Sequence, residues 1–156
     1  MPKLVSGFTL IELLIVITVI ILISSVVIGY VNSATVRGRD AKRQQNLDQI
    51  AKAINLYFSV NGSLPQNATG WCTYISNSGG PAPGYQALFA SDLALYMKNI
   101  PLDPTKAGQV GDYLFSNTDN AKGNYSLCAN MERPTGKSYD FSSCVGGAVY
   151  NYCITQ

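Results

Sequence analysis

Apolar and polar positions divide the chain into two parts with different patterns. From Phe8 to Val36 every side chain is apolar or uncharged, except for the carboxylate of Glu12. This run is longer than the ~20 residues that a helix needs to cross a bilayer. It predicts a membrane-spanning helix that carries one acid near its beginning.

Beyond this run, the apolar positions recur with the period of an amphipathic helix. The glycine and proline of Val60–Pro65 are typical of a helix end. We therefore predict one long helix from about Phe8 to Ser59, whose second half packs on a sheet. Its apolar stripe consists of Leu47, Ile50, Ala51, Ile54, Tyr57 and Phe58.

The rest of the chain is predicted to form loops, one short helix and several strands. Asn61–Tyr85 is rich in Gly, Pro, Ser and Asn, which indicates a loop, and Gln86–Asn99 has the mixed pattern of a short helix. Strand candidates are Tyr113–Phe115, Tyr125–Asn130, Tyr139–Ser142 and Ala148–Ile154. One helix packed on a small antiparallel sheet is an α+β architecture.

The composition argues against several classes of function. The net charge of +2 is too small to indicate an acidic partner. Arg37, Arg39 and Arg43 have no aromatic residues interleaved with them, so nucleic-acid binding is not favoured. The chain has no histidine, no paired carboxylates and no GxSxG motif. We therefore expect no enzyme and no cofactor.

Four cysteines follow the apolar run at wide, irregular spacings, which is typical of disulfides in an oxidising compartment. Four cysteines allow three pairings, and four reduced, buried thiols are the alternative. We favour Cys144 with Cys153 across a short hairpin, and Cys72 with Cys128 between the middle loop and the sheet. No CxxC pair is present to suggest a zinc site.

The apolar run admits three interpretations. An ordinary secretory signal would be shorter and would end at small residues, whereas "YVNSATV" is a poor cleavage site of that kind. A plain membrane anchor fits the length but leaves Glu12 unexplained, and a carboxylate in a bilayer usually marks a function. The third interpretation comes from the residues around this acid.

The segment "GFTLIELLIVITVIILI", with Lys3 in a short leader before it, resembles the class III signal of type IV pilins and type II secretion pseudopilins. In that family the cut falls where Gly7 precedes Phe8 here, and Glu12 becomes the fifth mature residue. The resemblance implies that a prepilin peptidase removes residues 1–7 and methylates the Phe8 amine. Residues 8–36 would then be the membrane and filament-core helix, and residues 37–156 the extracytoplasmic head.

The same resemblance implies a location and a set of partners. The subunit would be stored in the bacterial inner membrane with its N-terminus in the cytoplasm, as a single-pass protein. An assembly machinery in that membrane would then polymerise it with copies of itself or related pilins into a cell-surface or periplasmic filament. The alternative is a tethered binding or adhesin domain that never polymerises.

Glu12 gains a physical role from this assignment. The new amine of Phe8 carries a positive charge in an apolar environment, and a carboxylate of the same or a neighbouring subunit neutralises it. The pair would set the register of an incoming subunit. Without this pairing, Glu12 would simply lie at headgroup level near the helix end.

A cluster of basic residues follows the apolar run. "VRGRDAKR" puts four basic residues outside, against Lys3 inside, which conflicts with the positive-inside rule. These residues could contact acids of neighbouring subunits, face anionic lipid or form a solvated helix face, and the last is our expectation.

We also predict no metal site. The acids that calcium would need are scattered along the sequence: Asp103, Asp112, Asp119, Glu132 and Asp140.

Overall fold

A computed structural model describes residues 7–65, 72–75, 89–106, 112–133, 135–141 and 149–156 of the chain. It divides into two compact units, residues 1–37 and residues 38–156. The first unit consists of the N-terminal residues and the apolar part of one helix. The second unit, which we call the head, contains the described strands and the hydrophobic core.

The predicted long helix is confirmed. Helix α1 runs over Leu10–Asn61, and within the described residues it is the one helix long and apolar enough to cross a membrane. Gly62 ends it with a left-handed φ of 67°, and the Gly62 N–H donates to the Phe58 carbonyl at 2.8 Å. Glycine suits this position because it has no Cβ to oppose that conformation.

The strands of the head are β1 (Cys72–Tyr74), β2 (Leu114–Asp119), β3 (Asn124–Ala129), β4 (Tyr139–Asp140), β5 (Val149–Tyr150) and β6 (Tyr152–Thr155). Four of them form an antiparallel sheet in the order β1-β2-β3-β6, and β4 pairs with β5 in a second, two-stranded sheet. The architecture is therefore α+β, with a long N-terminal helix and a small antiparallel sheet, as predicted.

The main core lies between α1 and one face of the four-stranded sheet. Phe115, Leu127 and Ile154 occupy one row across β2, β3 and β6. The apolar stripe of α1 packs against them, with Leu47 and Ile54 fully buried. This packing explains why the second half of the helix has the amphipathic period that the first half lacks.

The opposite face of the sheet carries a smaller core and a disulfide. Cys128 and Cys153 are direct partners in the β3–β6 register and are bonded to each other. They pack with Leu114 and Tyr150.

The predicted pairings of Cys144 with Cys153 and of Cys72 with Cys128 are therefore wrong. Cys153 lies in the strand that pairs with β3 instead of returning in a short hairpin, which brings it to 4.1 Å from Cys128 between Cα atoms. Cys72 is also disulfide-bonded, and Cys144 lies outside the described residues.

The strand predictions hold in position but not in extent. The structure extends the first predicted strand to Asp119, and it divides Ala148–Ile154 into β5 and β6 at Asn151. The Asn151 side chain accepts from the Met131 N–H at 2.6 Å and donates to the Met131 carbonyl at 2.8 Å, which accounts for the break. Strand β1 lies in the segment predicted as a loop. Of the predicted short helix, residues 89–93 are helical and residues 86–88 lie outside the description.

Candidate assembly site and the charged centre of the head

The first unit presents an extended apolar surface. Its apolar side chains from Phe8 to Val26 are exposed, from 48% at Val19 to 88% at Phe8. Contiguous apolar surface of this extent marks a membrane or protein contact. The sequence-predicted spanning segment is therefore a surface that needs lipid or other helices around it.

Gly7 and Phe8 lie just before the helix. Both residues are exposed and non-helical, and a Cβ added at Gly7 would meet no atom within 4 Å. The peptide bond between them therefore lies in an open segment, which a processing enzyme needs to reach.

Glu12 forms a capping box with Thr9. The Thr9 N–H and the Thr9 hydroxyl both donate to Glu12 Oε2, at 2.8 and 2.7 Å, and the Glu12 N–H donates back to the Thr9 hydroxyl at 3.3 Å. This arrangement satisfies backbone donors that a helix start leaves without partners. The sequence contains the signature of this capping box, T-x-x-E, but we did not predict the cap from it.

A second constellation lies in the first turns of α1 within the head, around Arg43. This side chain is 1% exposed, and its guanidinium donates from every nitrogen. Nε donates to Asp103 at 2.7 Å, and Nη1 donates to Asp40 at 2.8 Å and to Glu132 at 2.9 Å. Nη2 donates to the Thr105 hydroxyl at 2.7 Å and to Asp103 at 3.2 Å. We call this cluster the Arg43 centre.

The carboxylates of the Arg43 centre also hold backbone. Asp40 accepts from the N–H groups of Glu132 and Arg133, at 2.9 and 3.1 Å. Asp103 accepts from the N–H groups of Thr105 and Lys106, at 2.8 and 2.9 Å. The centre thus attaches two loops of the head to α1, and its buried charges are paired and hydrogen-bonded, as burial requires.

The ionisation of this centre follows from its contacts. Hydrogen bonds from Arg39 and Arg43 lower the pKa of Glu132 to about 2. Burial by itself raises the pKa of Asp103, but the hydrogen bonds from Arg43 and from the loop outweigh it and leave that pKa below its ordinary value. Both carboxylates are therefore ionised at neutral pH.

The expectation of a solvated basic helix face is only partly correct. Arg37 and Lys42 are exposed, but Arg43 is buried, and Arg39 forms a two-point ion pair with Glu132. Acids of the head therefore pair with two of the four basic residues. Of the acids considered for calcium, Asp103 and Glu132 bind Arg43 instead.

The structure brings together only some of the sequence-predicted site residues. Phe8 and Glu12 lie within one helical turn of each other, next to Gly7, and Cys128 is bonded to Cys153. The Arg43 centre was missed as a unit. Its one local signal is the pair of opposite charges at Asp40 and Arg43, spaced i, i+3; its other members come from distant segments.

Comparison with known proteins identifies the N-terminal segment. Residues 2–28 match the family described as the prokaryotic N-terminal methylation motif, which is the class III signal of type IV pilins and pseudopilins. The chain therefore carries this signal, as of a type IV pilin-like or pseudopilin precursor, and its α+β fold is pilin-like. The motif favours a structural over an enzymatic protein. No curated protein and no solved structure matches the chain.

Proposed function

We propose that this protein is the structural subunit of a type IV pilus or of a type II secretion-like pseudopilus. Prepilin peptidase removes residues 1–7 and methylates the new N-terminus at Phe8. Residues 8–36 hold the mature subunit in the inner membrane, and residues 37–156, which are Arg37 and the head, lie outside it. The assembly machinery of that membrane then polymerises the subunit through its N-terminal helix.

The observation that carries this proposal is the methylation motif on a helix with an exposed apolar surface. The motif covers residues 2–28, and the apolar side chains from Phe8 to Val26 are 48% to 88% exposed. Lipid covers such a surface in the stored subunit, and helices of other copies cover it in a filament. Burial at about 25 cal/mol per Å² would then hold subunits together outside the lipid.

Glu12 has two roles in this scheme. Within the chain it caps α1 through Thr9, and both Thr9 donors end on the same oxygen, Oε2. The other oxygen, Oε1, is then available to the methylated amine of Phe8 in a neighbouring copy. At an effective dielectric of ~20, such a pair at 4 Å gains about 4 kcal/mol, which offsets part of the cost of burying both charges.

The first experiment determines the mature N-terminus by mass spectrometry on protein from its own cells. We expect a chain that begins with N-methylated Phe8. In the variant Gly7→Ala we expect the leader to stay attached, because the proposed peptidase site is altered. A native chain that keeps residues 1–7, or that begins near Thr35, would contradict the proposal and favour a tethered or secreted domain.

A pair of substitutions separates the two roles of Glu12. Glu12→Gln keeps the capping box, since glutamine serves at this position too, but removes the charge. Glu12→Ala removes both. We expect both variants to be processed and neither to assemble, as measured by the yield of sheared filaments. Normal filaments from Glu12→Gln would show that Glu12 acts through the cap and that pairing with the amine is unnecessary.

A further inference from the structure

Three cations of the head lie on the segments that meet at the Arg43 centre. Lys42 is exposed on the second turn of this part of the helix. Lys106 and Arg133 lie on the two loops of the Arg43 centre, where their N–H groups donate to Asp103 and Asp40. The two backbone contacts fix both residues at the level of Asp40–Arg43 along the helix. We call the three residues the basic collar.

The acids near Asp40–Arg43 already form ion pairs with Arg43. Asp40, Asp103 and Glu132 all bind Arg43. Asp40 and Asp103 are buried and also accept from backbone N–H groups. The Arg133 side chain is 59% exposed and makes a long contact of 3.8 Å to Asp40. The Arg43 centre thus pairs all three acids, buries two of them and leaves Arg133 with an exposed positive charge.

The collar also follows directly on the membrane segment along the chain. Lys42 is six residues after Val36, where the apolar run ends. Six residues of helix rise about 9 Å, close to the Debye length of about 8 Å at physiological ionic strength. An anionic headgroup layer at the end of the run is therefore within electrostatic reach of Lys42 along the helix.

We propose that the basic collar binds anionic phospholipid headgroups while the subunit is stored in the membrane. This inference rests on the membrane anchoring proposed above. A second copy fits the collar less well, because the remaining acids of the described head lie on separate elements, and Asp119 is already paired with Lys122. These remaining acids are the buried Asp112, and Asp48, Asp92, Asp119 and Asp140, which reach the surface.

Amine-reactive labelling, read by mass spectrometry, tests the collar in the full mature chain. The chain is reconstituted in vesicles that contain phosphatidylglycerol and in vesicles of phosphatidylcholine alone. We expect labelling of Lys42 and Lys106 to fall about fivefold in the anionic vesicles and to recover at high salt. Lys52 and Lys122 are exposed on other parts of the head and serve as internal controls that stay unchanged.

Two variants sharpen the test because they keep both reporter lysines. Arg133→Gln removes one collar charge and should reduce the protection of Lys42 and Lys106, whereas Lys122→Gln removes one charge elsewhere and should leave it intact. Equal labelling in both kinds of vesicle would overturn the collar. Protection in neutral vesicles that rises with protein density would also overturn it and assign the surface to a second copy.

Flotation of the vesicles separates a failure of the collar from a failure of the anchoring. A chain that floats with both kinds of vesicle, but shows equal labelling, refutes the collar alone. A chain that floats with neither kind refutes the proposed membrane anchoring, and the collar with it.

Discussion

Removing the guanidinium of Arg43 tests whether the Arg43 centre holds the head together. Arg43→Met keeps a side chain of similar length but leaves Asp103 and Asp40 buried without their cation. Their exposures are 3% and 6%, so water does not replace the lost contacts. The matched control is Lys42→Met, which removes an exposed charge from the neighbouring helix position.

The expected cost follows from the contacts that remain. Breaking a buried ion pair by removing one partner typically costs 3–5 kcal/mol. Asp103 and Asp40 each keep two backbone N–H donors, so we expect about 3 kcal/mol. The control should change the free energy of unfolding by less than about 0.5 kcal/mol, as surface substitutions usually do.

Urea unfolding of the full chain in mild detergent measures this cost through the near-ultraviolet circular dichroism of the tyrosines. With an m-value of about 1.5 kcal/mol/M, Arg43→Met should lower the midpoint by roughly 2 M. The cost should also shrink on acidification, because protonation relieves an unpaired Asp103. A cost below about 1 kcal/mol, or one of the same size at pH 7 and pH 4, would refute the reasoning.

Two further predictions concern the head. The folded pKa of Glu132 is about 2, below the ordinary 4.5, so the stability that this carboxylate contributes is present above pH 4.5 and is lost as the pH falls towards 2. The urea midpoint of Glu132→Gln should therefore fall less steeply between pH 4.5 and pH 2 than that of the unchanged protein. An identical slope in both would contradict the assignment. Gly123→Ala should cost more than Gly62→Ala in the same unfolding assay. Both glycines have left-handed φ values, 73° and 67°, which cost alanine about 1 kcal/mol, but only at Gly123 would a Cβ lie 2.9 Å from the Phe58 ring. Equal costs would show that the ring moves aside freely.

The parts of the fold that sequence could predict are those with a local pattern. The length of the apolar run and the stripe from Leu47 to Phe58 predicted α1 to within two residues at each end. Strand positions followed from local composition as well. Strand β1 was missed because its three residues hold their place by pairing with Leu114–Ser116, and a partner 40 residues away leaves no periodicity in a short segment.

The parts that sequence could not predict depend on long-range register. Cys128 pairs with Cys153 because β6 lies beside β3, and nothing local to Cys153 distinguishes this arrangement from a hairpin with Cys144. Arg43 is buried for a similar reason, since Asp103 and Glu132 reach it from segments 60 and 89 residues away. A basic stretch with charges on several helix faces reads as solvated until its partners are known.

The first half of helix α1 has an exposed apolar surface, and its second half is packed in the head. The Arg43 centre lies near the beginning of the packed half. From Phe8 to Val26 its apolar side chains are exposed, which keeps this surface available to lipid and to other helices. From Asp40 onward its inward side chains are fixed in the head. Apolar packing at Leu47 and beyond holds the helix without strong directional preference. The five N–H donors of a planar guanidinium, in contrast, fit only one arrangement of carboxylates. The centre therefore fixes the orientation of α1 in the first turns of the head, where the apolar core has not yet begun.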